Sequence, residues 1–219
     1  MKRRLFLAAL ALAATVAHAE DVRGSGHAAT EQRSASGMHG VAMSIPGKLE
    51  VSQGEREGVT VTADDNLLPY IETAMENGVL HVRTRDGTSI SFRTPVRVLV
   101  VARSIEHLGL SGSGDIVASG IDVKALELRI SGAGKATLSG RASQLDARIS
   151  GSGRVDAVKL ATDDADVKVT GSGKLTLTAR NTLKTHVTGA GDVDYYGDPA
   201  VERHVTGAGR IRRAGAAPA

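Results

Sequence analysis

A four-residue turn, Ser/Thr-Gly-Ser/Ala-Gly, occurs six times, beginning at Ser111, Ser131, Ser150, Thr170, Thr188 and Thr206. Two residues before the last five copies stands a side chain able to carry positive charge: Arg129, Arg148, Lys168, His186 and His204. Stacked on successive strands, these five form a straight row of donors suited to an acidic polymer such as a uronate chain. Binding of that kind weakens with salt, because exposed charges are screened within about 8 Å at physiological ionic strength. It strengthens toward acidic pH, where imidazoles gain a proton. Beside the row, four residues before each motif, lie Glu127, Asp146, Asp166, Lys184 and Glu202. A third outward column, four residues after each motif start, reads Asp115, Lys135, Arg154, Lys174, Asp192 and Arg210. Ion pairs between neighbouring columns describe an ordinary solvated face equally well, and each such pair contributes little.

Other chemistries fit these residues poorly. Gly171-Ser-Gly-Lys174 looks like the end of a phosphate-binding loop. That loop needs glycine five residues before its second glycine and Ser or Thr after its lysine; Lys168 and Leu175 stand there. Asp163, Asp164 and Asp166 form the densest acidic cluster, but a turn and an outward strand position separate their side chains, so no paired carboxylates for glycoside cleavage are expected. His186 and His204 fall on adjacent repeats with no carboxylate at a completing spacing, so neither a metal site nor a cofactor is expected.

The elements that place these side chains follow from the spacing. The six motifs step by 20, 19, 20, 18 and 18 residues, and a period near twenty points to a solenoid. Five residues after each motif start the side chain is apolar: Ile116, Ala136, Val155, Leu175, Val193 and Ile211. One residue before each motif it is apolar again: Leu110, Ile130, Ile149, Val169, Val187 and Val205. Three before, the column reads Leu128, Ala147, Val167 and Thr185; five before, Leu126, Leu145, Ala165, Leu183 and Val201. Apolar positions two apart, with polar residues between, are the signature of a strand with one face inward.

The paired glycines are Gly112 and Gly114, Gly132 and Gly134, Gly151 and Gly153, Gly171 and Gly173, Gly189 and Gly191, and Gly207 and Gly209. They mark a corner that requires positive φ or close approach of neighbouring backbones. The Ser or Thr hydroxyl that opens each motif is expected to bridge to the next corner. The fold expected is all-β: a right-handed parallel β-helix, a β-solenoid, over residues 106–213, preceded by an irregular or antiparallel β segment over 41–105. Within that segment Asn77-Gly78 carries the strongest local hairpin signal.

The termini read differently. Lys2, Arg3 and Arg4 precede an apolar stretch from Leu5 to Val16, and Ala17-His18-Ala19 is a small-x-small cleavage site. Residues 1–19 therefore read as a signal peptide, too short to span a bilayer. Export to the periplasm, cell surface or medium is expected, with no membrane span after cleavage. Residues 20–40, rich in Gly, Ser, Ala and His, read as a flexible mature N-terminus, and 214–219 as a disordered tail.

Of 27 basic residues, three lie in the signal segment, leaving 24 against 24 acidic ones. A neutral mature chain gives no support for nucleic acid as a partner. The chain has no cysteine, so neither disulfides nor thiolate metal sites arise. After cleavage the aromatics are Tyr70, Phe92, Tyr195 and Tyr196, which implies a narrow core of Val, Ile, Leu and Ala.

Three stretches, SGSGDI at 111–116, SGAGKATLSG at 131–140 and TGAGDVDYYGDP at 188–199, carry a family resemblance. So do VTVTADDNLLPYIET at 59–73 and NGVLHV at 77–82. Over about residues 41–213 the chain resembles the bacterial family called putative auto-transporter adhesin, head GIN domain. The resemblance implies an exported, all-β, adhesin-like protein with a β-helix and brings no catalytic or binding residues. The expected function is a non-enzymatic, surface-binding protein of the cell envelope whose partner is an acidic glycan or an envelope or surface protein. A structural spacer in the periplasm is the alternative, and a polysaccharide-active enzyme the remote one.

Overall fold

The computed structural model describes residues 20–218; the signal-peptide expectation for residues 1–19 lies outside them. The chain forms β1 (Glu20–Arg23), β2 (Ala28–Arg33), β3 (Gly40–Met43), β4 (Lys48–Gln53) and β5 (Gly58–Asp64), then a 3-10 turn at Leu68–Tyr70. There follow β6 (Ile71–Glu76), β7 (Val79–Thr84), β8 (Thr88–Ser91), β9 (Arg97–Ala102) and β10 (His107–Gly112). The long strands β11 (Asp115–Gly132), β12 (Lys135–Gly151) and β13 (Arg154–Gly171) each run from one motif corner to the next. The array ends with β14 (Lys174–Thr178), β15 (Thr182–Gly189), β16 (Asp192–Tyr196), β17 (Ala200–Gly207) and β18 (Arg210–Gly215).

Successive repeats stack in register, as the spacing predicts. Glu127, Arg129 and Ser131 sit level with Asp146, Arg148 and Ser150, and those with Asp166, Lys168 and Thr170. The stack is a parallel β-solenoid with two main faces that meet at the motif corners. The strands before each motif form the first face, in the order β6-β7-β3-β10-β11-β12-β13-β15-β17. The strands after each motif form the second, β2-β5-β9-β4-β11-β12-β13-β14-β16-β18. The four inward columns predicted from the repeat are buried through all inner coils. With so few aromatics the core is narrow, and Tyr195 is the one ring in it, 4% exposed.

The two glycines of each corner serve different ends. The first has positive φ, +112° at Gly151, and a Cβ there would lie 2.5 Å from the carbonyl oxygen of Gly132 one coil below. The second does not have positive φ; at Gly153 a Cβ would lie 2.7 Å from the Ile130 side chain, so this glycine admits a core residue of the coil below. With both in place the ladder continues around the bend: Ser152 N–H donates to Gly132 O at 2.9 Å and Arg154 N–H to Gly134 O at 2.9 Å. The bridging expected of the opening hydroxyls does not occur. Ser131, Ser150, Thr170 and Thr188 are exposed and their hydroxyls make no hydrogen bond among the described residues, because the backbone already satisfies the corner.

The N-terminal half departs from expectation in two ways. Residues 41–105 are not merely an irregular or antiparallel prelude: β3 with β4, and β7 with β9, are two further coils of the solenoid. They also stack out of chain order. The coil containing β3 and β4 lies between the later β7–β9 coil and β10–β11. Antiparallel strands β6 on the first face, and β5 then β2 on the second, close the end of the array. Residues 20–40, expected to be flexible, contain β1, paired with β8, and β2, paired with β5. At the other terminus β18 extends to Gly215, into the stretch read as a disordered tail.

Asp64 explains why the N-terminal strands are held. Its carboxylate is fully buried and accepts the N–H groups of Gly26 at 2.8 Å, Arg93 at 2.9 Å and Thr94 at 3.1 Å, and the Thr94 hydroxyl at 2.9 Å. Burial alone raises a carboxyl pKa, but these donors outweigh it and hold Asp64 down at about 2, against 3.8 for an ordinary aspartate. The clasp ties the segment after β1 to the segment after β8. Arg33, at the end of β2, adds bonds to the carbonyls of Ile71 at 2.5 Å and Leu68 at 2.9 Å.

Two predictions follow from this architecture. Gly151→Val should destabilise by about 3 kcal/mol, combining forbidden φ with the clash on Gly132, which corresponds to a melting temperature lower by roughly 6–12 °C. Gly112→Val shares the positive φ but meets nothing within 4 Å, and should cost distinctly less; equal losses would mean that corner stacking is not the constraint. Because the Asp64 pKa is depressed, its contribution is complete above about pH 4 and disappears as pH falls through about 2. Melting curves of Asp64→Asn should show a loss on the order of 2 kcal/mol at pH 6 and a flatter decline between pH 4 and 2 than the parent protein.

Candidate functional site

The five basic side chains singled out from the sequence share the first face. Arg129, Arg148, Lys168, His186 and His204 are mutual register partners, one per coil, at the strand spacing of about 4.8 Å. The face has three outward columns, since side chains alternate along each strand. The acidic column begins at Glu127, the basic one at Arg129, and the hydroxyl column runs Ser111, Ser131, Ser150, Thr170, Thr188, Thr206, all exposed. Sequence reasoning treated the hydroxyls as corner braces. The hint that they face outward lay in their strict alternation with the inward column.

Charge is not even along the basic row. Toward the N-terminal end Glu127 collects three partners: Arg129 Nε donates at 2.7 Å, Arg148 Nη1 at 2.9 Å, and His107 Nδ1 lies 2.9 Å away. Arg148 Nη2 also donates to Asp146 at 2.6 Å. Burial pushes the Glu127 pKa up, but hydrogen bonds from Arg129 and His107 prevail and hold it below the usual glutamate range. Lys168 is only loosely paired, 3.9 Å from Asp166. Beyond it Lys184, His186 and His204 are exposed and take part in no ion pair among the described residues. The rings of His186 and His204 lie 5.4 Å apart. The side chains without ion pairs therefore lie on the C-terminal half of the face, beside Thr170, Thr188 and Thr206, where the exposed carboxylate of Glu202 stands among them. Lys184 interrupts the acidic column there.

The second face is more fully neutralised where charge is dense. Asp194, little exposed, takes Lys174 at 3.1 Å and Arg212 at 2.5 Å, while Asp192 pairs with Arg210 at 3.0 Å. The hydrogen bond from Arg212 is the main reason that the Asp194 carboxyl titrates below the usual aspartate range.

The acidic cluster converges only in part: Asp164 and Asp166, two apart on β13, line one open groove of the first face with Asp146 of the coil below, whereas Asp163 is engaged elsewhere. Asp163 faces Arg141 and Arg180, at 4.0 and 3.6 Å, Asp164 accepts from the Thr182 hydroxyl at 2.6 Å, and Asp166 lies on the first face beside Lys168. Among the described residues no three His, Asp or Glu side chains are placed to hold a metal ion, and no helix is long and apolar enough to cross a membrane.

Residues 38–199 match the family described as putative auto-transporter adhesin, head GIN domain. The chain belongs to this family. Its fold is shared with solved proteins of low sequence identity. One from Bacteroides fragilis, described as a putative adhesin, is 16% identical, covers 88% of this chain and 99% of its own, and superposes with a TM-score of 0.71. A putative adhesin from Parabacteroides merdae is 20% identical over 89% of this chain and 99% of its own, with a TM-score of 0.57. A protein from Parabacteroides distasonis described as a putative lipid binding protein gives the same TM-score at 18% identity, over 89% of this chain and 99% of its own. Among curated proteins none matches. The head GIN family match ends at Pro199, so β17 and β18 lie beyond it.

Glu127 is the electrostatic anchor of the first face, and its removal is testable. Glu127→Gln should lower stability by only about 1 kcal/mol, since Arg129 and Arg148 are exposed enough to be resolvated. The loss should vanish as pH falls through the lowered pKa of the parent carboxylate, beneath the usual glutamate range. A pH-independent difference in melting temperature would mean that the three contacts contribute nothing.

Proposed function

We propose that this head GIN protein is a non-catalytic, exported, adhesin-like protein of the cell envelope that holds an acidic glycan along the C-terminal half of its first face. The observation that carries the reading is the register. Lys168, His186 and His204 stack one per coil, with Lys184 in one flanking column and the exposed hydroxyls of Thr170, Thr188 and Thr206 in the other. A polymer laid along the solenoid axis meets cations for its carboxylates and hydroxyls for its ring oxygens at one repeated spacing. The flatness and rigidity of the face reduce the ordering cost of binding. The adhesin-like family favours binding over catalysis.

One double and one single variant test the reading. Retention on immobilised polygalacturonate should be clear at low ionic strength and fall steeply toward 0.15 M salt. Lys168→Ala with Lys184→Ala should weaken it by about tenfold with an unchanged fold, whereas Glu127→Gln, which releases Arg129 and Arg148, should strengthen it. If the parent protein is not retained under any of these conditions, the face is a solvated surface and the solenoid acts as a spacer.

A further inference from the structure

The last coil breaks the rule that the inner coils keep. The inward column Leu128, Ala147, Val167, Thr185 ends in Arg203, and the column Ala157, Leu177, Tyr195 on the second face ends in Arg213. Both arginines lie over the end of the core. Arg203 Nη2 donates to the Tyr195 hydroxyl at 2.8 Å, with its guanidinium 5.8 Å from the ring centroid, and Arg213 Nε donates to Gly197 O at 2.7 Å. Flanking them, Val201 and Ile211 are half-buried, and Val205 is 42% exposed although its column is buried everywhere below.

Among the described residues β17 pairs only with β15 and β18 only with β16, so the outer edges of both strands have unused donors and acceptors. The opposite end is covered by antiparallel strands; this one is open. Its chemistry also limits what can sit on it. A further coil of the usual Val, Leu and Ile would strip water from the Arg203 guanidinium, which has no counter-charge among the described residues, and from Arg213, whose ion-pair partner is the exposed Asp198 at 3.8 Å. A second copy stacked end to end about a two-fold axis would set the same arginines against each other.

We propose that the β17 edge is an acceptor for an added strand from an acidic, extended polypeptide. The incoming backbone continues the parallel ladder past Ala200–Gly207. Its inward side chains, two residues apart, are apolar over Val201, carboxylate over Arg203 and apolar over Val205. The exposed valines supply contact area, and Arg203 supplies the charge that selects Asp or Glu. This site uses the edge and inward side of β17, whose outward His204 and Thr206 belong to the glycan face, and does not depend on glycan binding.

The test uses an eight-residue peptide with the inward pattern Val-x-Glu-x-Val and Ser or Thr between, and a control with Lys in place of Glu. The acidic peptide should bind the full mature chain and slow amide exchange along β17, while β12 is unaffected; the Lys peptide should not. Arg203→Glu should weaken the acidic peptide at least about tenfold and admit the Lys peptide, a reversal that a folding defect would not give. Slowed exchange in the parent protein keeps the test independent of any variant. No binding up to about 1 mM peptide would overturn the proposal. So would protection of β17 that rises with protein concentration alone, alongside a doubled mass in solution, which would assign the edge to a second copy.

Discussion

At each motif corner after the first, a carbonyl oxygen of one coil occupies the place where a side chain of the next would begin. Gly132 O lies 2.5 Å from the ideal Cβ position of Gly151, and Gly151 O stands 2.7 Å from that of Gly171. The same carbonyls accept the N–H groups of Ser152 and Ser172 at 2.9 and 2.8 Å. An unpaired backbone group at a bend costs as much as a lost hydrogen bond, so the bend is tolerated only where the ladder passes through it. A Cβ would push the coils apart and break these bonds. Register follows from this contact, and stacked side-chain columns follow from register.

The repeat was legible because this constraint acts on every coil alike. The inward columns, the strand period and the basic row of Arg129, Arg148, Lys168, His186 and His204 could all be placed by counting from the glycines. What could not be counted was hidden for identifiable reasons. Residues 20–33 look like a linker, and they are ordered by pairing with distant strands, β1 with β8 and β2 with β5, and by the buried Asp64 about forty residues away, which leaves no local pattern. The coil formed by β3 and β4 has no Ser-Gly-Ser-Gly corner; it turns at Pro46-Gly47, with Gly47 at φ +144°, and so escaped the motif. The uneven charge of the first face was also out of reach. Which of Glu127's possible partners it would choose depends on side-chain reach across coils, not on column identity.

The hydroxyls illustrate the same limit from the other side. Motif position alone could not distinguish a brace from a surface group, and the backbone's own sufficiency at the corner decided it. The ion pairs on the first face modify its role in turn. Where Glu127 and Asp146 engage the arginines, the face is neutral and self-satisfied; where Lys184 replaces an acid, cations remain for a ligand. A column of like charges one strand spacing apart would be repulsive on its own, and the neighbouring acidic column relieves that repulsion where it is present.

The interleaved first coil has a consequence for how the chain assembles. The strands β3 and β4, first of the solenoid to emerge, lie between a coil that comes some forty residues later and one that comes later still. Neither flank exists until residues 79–118 are available, so the sheet cannot begin at its leading end and wind forward. A contact of long sequence separation must form first, and such closures are slow. Once they have formed, every later coil adds to a finished neighbour only 18 to 20 residues behind it. Assembly has a single costly start and a single direction of growth, which makes the number of coils an easily varied quantity. Whole repeats can be gained or lost at the far end without disturbing the start.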